Sequence, residues 1–151
     1  MVVIRPLGRQ DAQAFVAFVA GLSERARYER FQCVVKEISP SLLQLLVDPE
    51  PPAHVALAAF AGDQLVGEAR YASHDAGTEF AIAVADDWRR LGVGHRLLQA
   101  LLARARIDGV ARLDGEVLAW NQAMLGFVEQ HGFRVRAHPG DARLIRVELA
   151  L

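Results

Sequence analysis

The stretch "TEFAIAVADDWRRLGVGHRLLQALLARA", residues 78–105, joins two hydrophobic periods through a glycine-containing corner. Over Thr78–Val84 the side chains alternate. Phe80, Ile82 and Val84 fall on one face and Glu79, Ala81 and Ala83 on the other, the period-two pattern of a strand. Further on, Leu97, Leu98, Leu101, Leu102 and Ala105 recur at helical spacing. Between them stands "RRLGVGHR", with Gly92 and Gly94 set two apart where the helix should begin. Glycine is a poor helix residue, so its placement here needs a reason. A helix start carries unpartnered N–H groups and the positive end of the dipole, and it attracts anions. Without a Cβ, glycine lets an anion approach the backbone closely. Arg89, Arg90 and Arg96 add positive charge. The competing reading is a loop that simply needs a positive φ at Gly92 or Gly94, and the spacing alone does not choose between the two. Two other phosphate motifs fit badly. A P-loop needs Gly-Lys-Ser/Thr, which is absent, and a dinucleotide fingerprint needs a third glycine where this chain has Leu97.

Working outward, Val2–Leu7 reads as a first strand, broken by Gly8. A helix follows on the stripe Phe15, Phe18, Val19 and Leu22, with Asp11 in its first turn and Gly21 near its stop. Ser23 caps a second short helix. Ser39 caps a third, with Pro40 at its first position. After the break "DPEPPAH", residues 54–61 and 65–73 form a hairpin about Gly62 and Asp63, and "HDAG" turns into the opening strand. Beyond Gly109 come a strand over 111–119, a helix over 121–131 ended by Gly132, and a final hairpin about "PGDA". This order predicts one α+β domain over residues 1–151, α/β layered, with a mixed, mostly antiparallel central sheet flanked by helices.

Composition narrows the function classes. A chain that is 52% hydrophobic and 23% charged is globular rather than disordered. A net charge of −1 gives no global reason to expect a nucleic-acid partner. The single cysteine, Cys33, forms no internal disulfide and excludes a multi-cysteine zinc site, as expected in a reducing compartment. No metal-ligand spacing is present, so no metal is expected. No apolar run reaches membrane-spanning length, and "MVVIRPLGRQD" lacks the pattern of a signal peptide. A cytoplasmic location away from the membrane is therefore expected.

Arg89-Arg90-Leu91-Gly92-Val93-Gly94 resembles the R/Q-x-x-G-x-G/A motif of the GNAT acetyltransferases. The strand upstream of it and "NQAMLGFVEQHGF" downstream stand in that family's order, and the resemblance covers nearly the whole chain. It implies acetyl-CoA as cosubstrate. Ile82, Ala83 and Val84 would offer backbone groups to the pantetheine arm, as a paired strand does. Arg89, Arg90, Leu91, Gly92, Val93, Gly94, His95 and Arg96 would cradle the pyrophosphate, and Asn121 would stand near the pantetheine. Each has a plain structural alternative: small alanines under a helix, solvated arginines, an asparagine N-cap.

Four segments, "LSERARYERF", "VGEARY", "TEFAIAVADDW" and "VLAWNQAML", resemble more narrowly the GNAT domain of bacterial Pat-type protein lysine acetyltransferases. Those domains usually sit in larger proteins. With the first strand starting at Val2, no regulatory part is expected here, and the acceptor does not carry over with the match. Glu79 stands at the family's glutamate position and is the expected general base, its pKa to be raised by partial burial beside small residues. The expected reaction is direct acetyl transfer to a primary amine, a protein lysine or a small molecule. A non-catalytic acyl-CoA-binding regulatory module is the alternative. Many members carry a tyrosine, the general acid, where this chain has Val128, and Tyr28 and Tyr71 are unsupported substitutes. Glu68 and Arg70 share a strand face and are expected to pair. Glu116 is a competing carboxylate, and His95 and His131 are expected to be structural or solvated. Cys33 lies away from the motif, which argues against a covalent route. A homodimer stays open.

Overall fold

The computed structural model describes residues 1–151. Its strands are β1 (Val2–Pro6), β2 (His54–Ala61), β3 (Gln64–His74), β4 (Gly77–Val84), β5 (Arg112–Leu118), β6 (Arg134–Ala137) and β7 (Leu144–Ala150). Its α-helices are α1 (Ala12–Gly21), α2 (Glu24–Phe31), α3 (Pro40–Val47), α4 (Val93–Ile107) and α5 (Gln122–Gln130). The strands form one sheet in the order β1-β2-β3-β4-β5-β7-β6. Every neighbouring pair is antiparallel except β4 and β5. The expected mixed, mostly antiparallel sheet with flanking helices is the architecture found. No helix is long and apolar enough to cross a membrane.

Local chemistry sets the helix boundaries. The Ser23 hydroxyl accepts from the Ala26 N–H (3.1 Å) and the Ser39 hydroxyl from the Leu42 N–H (3.2 Å), each meeting one orphan donor of a first turn. Asp11 is instead drawn into an ion pair with Arg5 (2.8 Å) while accepting from the Gly8 N–H, and so fastens β1 to the start of α1. The hydrogen bond to Arg5 leads the effects that hold the Asp11 carboxyl below its usual range.

The two sheet faces have separate cores. Leu97, Leu98 and Leu101 of α4 pack on Val55, Val66, Ala69 and Ile82 on one face. Phe15 and Phe18 of α1 and Leu46 of α3 pack on Ala56, Ala58 and Ala83 on the other. The alternation of β4 therefore divides as the sequence predicts, with Ile82 toward α4 and Ala83 toward α1.

The β4–β5 junction differs from all the others. Glu79 opposite Asp114 is the one register pair between these strands, and beyond it they splay apart. Phe80 occupies the apex of the splay. Its ring packs at a tilt against Phe133 (4.9 Å between centroids) and lies over Gly115, where an added Cβ would collide with Phe80 Cε1. A residue with a side chain at 115 has to displace the ring. Gly115→Ala is expected to destabilise the protein by about 1–3 kcal/mol, the usual range for overpacking, read as a lower urea midpoint at unchanged slope.

Candidate active site

The splay opens a cavity of about 710 Å³ that runs from the start of α4 to Glu116 on β5. Its walls are β4, β5, α2, α5 and the loop before α4. The Ala85 N–H bonds back to Val66 of β3 (2.8 Å). By the alternation of an extended chain, the backbone groups of Ile82 and Val84 then point the opposite way, into the splay, where β5 no longer pairs with them. Arg89 lies at the end of this edge, its Nε donating to the Val84 carbonyl (3.4 Å).

At the α4 start, Gly92 is the N-cap with φ +86, a left-handed conformation that favours glycine. Its carbonyl accepts from the Arg96 N–H (3.1 Å), and no side chain caps the helix. The N–H groups of Val93, Gly94 and His95 are thus left without helical acceptors, at the positive end of a 15-residue helix. Arg90 is also left-handed, with φ 63, an uncommon conformation outside glycine that further turns the loop. The corner contains the positive φ of the loop reading and the bare N–H groups of the anion reading together.

Of the expected coenzyme-binding residues, Ile82, Ala83, Val84, Arg89, Arg90, Gly92, Gly94, His95 and Asn121 line the cavity. Leu91, Val93 and Arg96 do not. Leu91 and Arg96 are exposed, and the Val93 side chain is buried in the core. Asn121 lines the cavity, and its Oδ1 accepts from the Met124 N–H (3.2 Å) as cap of α5.

Glu79 lines the cavity but is less enclosed than expected. Its side chain is 49% exposed, with its Oε1 3.6 Å from His74 Nε2. The reason is its place two residues after the β3–β4 turn, where the neighbouring positions Ala72 to Ala76 are themselves exposed. Val128 is fully buried, so its side chain belongs to the core. Tyr71 is buried and donates to Asp108, which raises the phenol well above its ordinary value together with the larger effect of burial. Tyr28 pairs with Arg143 (3.3 Å), and neither tyrosine lines the cavity. Cys33 is exposed beyond the end of α2 and lies outside the cavity lining.

Helix α2 adds wall residues that the sequence did not single out. Ala26, Glu29 and Arg30 face the cavity from one side of that helix, a spacing of three and four that was available in the sequence. Gln32, left-handed at the helix end, reaches across the splay and donates its side-chain N–H to the Glu116 carbonyl (2.7 Å). Glu29 Oε1 lies 3.6 Å from Arg89 Nη2, and the backbone and hydroxyl of Ser23 donate to Asp86 ahead of α4. Helix α2 is thereby tied to β5 and to the corner before α4 at once. Glu116 does face the cavity, with His138 3.5 Å from its carboxylate.

Beneath α2 lies a buried charge cluster. Glu68 is fully buried between Arg30 Nε (2.6 Å) and Arg70 Nε (3.0 Å). The expected Glu68–Arg70 pairing is present, with Arg30 as a third member. Arg70 Nη1 donates to the Leu46 carbonyl (2.9 Å) and lies 3.2 Å from His54 Nε2. Burial, reinforced by the charge of Arg70, pushes His54 below its ordinary value, which leaves Nε2 free to accept.

The chain belongs to the acetyltransferase (GNAT) family, whose model matches residues 17–133. It is 34% identical to an acetyltransferase of Pseudomonas aeruginosa, over 99% of this chain and 84% of that one. It is 29% identical to acetyltransferase Pat of Mycolicibacterium smegmatis, over 85% of this chain but only 40% of that longer protein. The crystal structure of the GNAT domain of S. lividans PAT superposes with a TM-score of 0.91 at 26% identity, covering 98% of this chain and 89% of that one. The protein is accordingly an acyltransferase of the class that passes an acyl group from acyl-CoA to an amine.

Proposed function

We propose that the cavity takes acetyl-CoA and transfers its acetyl group to a primary amine, with Glu79 as general base. The observation that carries this reading is the unpaired β4 edge running into the uncapped α4 start. The first suits an extended amide-bearing arm, and the second suits a diphosphate. The backbone groups of Ile82 and Val84 that β5 leaves unpaired would bond the pantetheine amides, with Arg89 beside the Val84 carbonyl. The N–H groups of Val93, Gly94 and His95, with Arg89 and Arg90, would hold the diphosphate. The bound donor supplies the thioester carbon.

An alkylammonium acceptor enters protonated. Glu79 takes one proton and leaves a neutral nitrogen to attack the carbonyl carbon. The C–N bond forms, the C–S bond breaks, and the departing sulfur takes the proton that the nitrogen sheds. The half-exposed Glu79 can pass its own proton on to water. With valine at 128, the chain relies on the nitrogen's proton or on water rather than on a tyrosine at that place. Placement of donor and acceptor in one cleft supplies much of the rate.

The test is release of coenzyme A thiol from acetyl-CoA across a panel of lysine peptides and small amines. Amine-dependent release supports the enzyme. Tight acetyl-CoA binding without release for any amine would mark a binding module instead. Gly92→Ala is expected to strain the left-handed corner, with about 1 kcal/mol lost in stability. It should also weaken coenzyme A binding, because the donor N–H groups lose their aim; calorimetry reads the second effect and thermal unfolding the first.

A further inference from the structure

His95 and His131, 36 residues apart in the chain, form a hydrogen-bonded pair at the phosphate end of the cavity. His131 Nδ1 lies 2.9 Å from the Phe127 carbonyl oxygen, which can only accept, so Nδ1 carries a hydrogen. His131 Nε2 lies 2.8 Å from His95 Nδ1, a distance that places a single hydrogen between the two nitrogens. With His131 neutral, its Nε2 accepts and His95 Nδ1 donates. That chain of bonds leaves His95 Nε2 as the one ring nitrogen of the pair without a partner. Ring contacts of His131 with His95 (4.9 Å) and with Phe127 (4.6 Å) hold the arrangement.

We propose that this pair binds a solvent proton at His95 Nε2 together with a phosphate group of coenzyme A, so that coenzyme binding is proton-linked and His95 reads phosphate on the donor. The proposal rests on the coenzyme reading above. The groups sharing the cavity explain why the proton arrives with the ligand. Arg89 and Arg90 lie in the same corner, on the loop before α4, and the helix start adds its positive dipole. Arg96 is the adjacent charge on α4. The carboxylates of the cavity are engaged or placed on other walls. Glu29 is held by Arg89, Glu116 of β5 lies beside His138, and Glu79 stands near the start of β4, away from the corner. Arg30 on α2 is bound to Glu68. The corner around His95 thus carries positive charge, with no carboxylate paired to its ring. A bound phosphate reverses that field and accepts the new N–H as a charge-assisted bond.

The test is calorimetric binding of coenzyme A in two buffers of different ionisation heat, at pH 6 to 8, for the wild type and His95→Gln. The wild type is expected to take up a proton on binding and to bind about tenfold more tightly at the acid end, the worth of one charge-assisted hydrogen bond. In His95→Gln that uptake is lost and affinity falls. Dephospho-coenzyme A separates the two phosphate sources. Uptake that persists with it assigns the diphosphate, and uptake that vanishes assigns the ribose phosphate. Imidazole ¹⁵N NMR of the complex should show His95 protonated on both nitrogens and His131 on Nδ1. Equal proton uptake in the wild type and His95→Gln, or none in either, overturns the proposal while leaving the coenzyme reading intact. Failure of coenzyme A to bind the wild type removes both.

Discussion

Replacing Glu79 by Gln is expected to lower kcat/KM for the amine by about 10²–10⁴-fold, the usual contribution of a positioned general base. Coenzyme A affinity and thermal stability should not change. The separation of these readouts follows from geometry. Glu79 is the last residue of β4 to pair across to β5, opposite Asp114, before the strands diverge. Its side chain is half exposed and its polar neighbour is the exposed His74, so nothing in the core depends on it. The corner proposed to hold the diphosphate lies at the other end of β4, beyond Val84. Steady-state thiol release with saturating donor isolates the amine step, and raising the pH should partly rescue Glu79→Gln as more amine becomes neutral in solution. Unchanged turnover in Glu79→Gln would remove Glu79 as base and turn attention to Glu116, the other carboxylate facing the splay from β5.

The second large effect concerns stability. Glu68→Ala is expected to cost about 3–5 kcal/mol, the penalty for removing one member of a buried ion pair. Against a typical total of about 5–15 kcal/mol, that is enough to unfold a marginal domain. Glu68 is fully buried and compensates two guanidinium groups, and Arg70 already has its Nη2 buried without a hydrogen-bond partner. Losing the carboxylate leaves Arg70 charged against the Phe15 ring and releases Arg30, which anchors α2 over the cleft. Urea unfolding measures the loss, and Glu68→Gln, which keeps the shape without the charge, should fall between the two proteins. The pH dependence has a definite sign. Burial pushes the Glu68 carboxyl up, but the charges and hydrogen bonds of Arg30 and Arg70 more than reverse it, and the carboxyl is held below its usual range. A carboxyl lowered in the folded state contributes stability that is present above its unfolded value and is lost as pH falls through the folded one. Wild-type stability should therefore decline below the ordinary carboxylate range, and Glu68→Gln should decline less. Equal acid sensitivity in both would show that the cluster does not drive the effect.

Much of this arrangement was legible in the sequence because it depends on local rules. The alternation of Phe80, Ile82 and Val84 fixed the faces of β4, and Ser23, Ser39 and Asn121 marked helix starts where their side chains do cap. Gly92 and Gly94 marked the corner. What was not legible depends on elements distant in the chain. Alternation assigns Glu79 to a face but cannot say whether a helix covers it, and α2 covers the strand further along, over Ala81 and Ala83. Glu68 and Arg70 are two apart and visible as a pair. Arg30, 38 residues earlier, joins them only because α2 packs above β3. His95 and His131 meet because α4 and α5 lie side by side on one face of the sheet. The splay itself follows from parallel neighbours β4 and β5 with Phe80 wedged over Gly115, and no periodicity reports that.

The most direct measurement is a titration of ¹⁵N-labelled protein with acetyl-CoA, followed by backbone amide NMR. The account predicts saturable shifts concentrated in the amides of Gly92–Arg96 and of Ile82 and Val84, with the sheet beyond β3 silent. Saturable binding whose shifts fall on another surface, or no binding at millimolar acetyl-CoA, would contradict it.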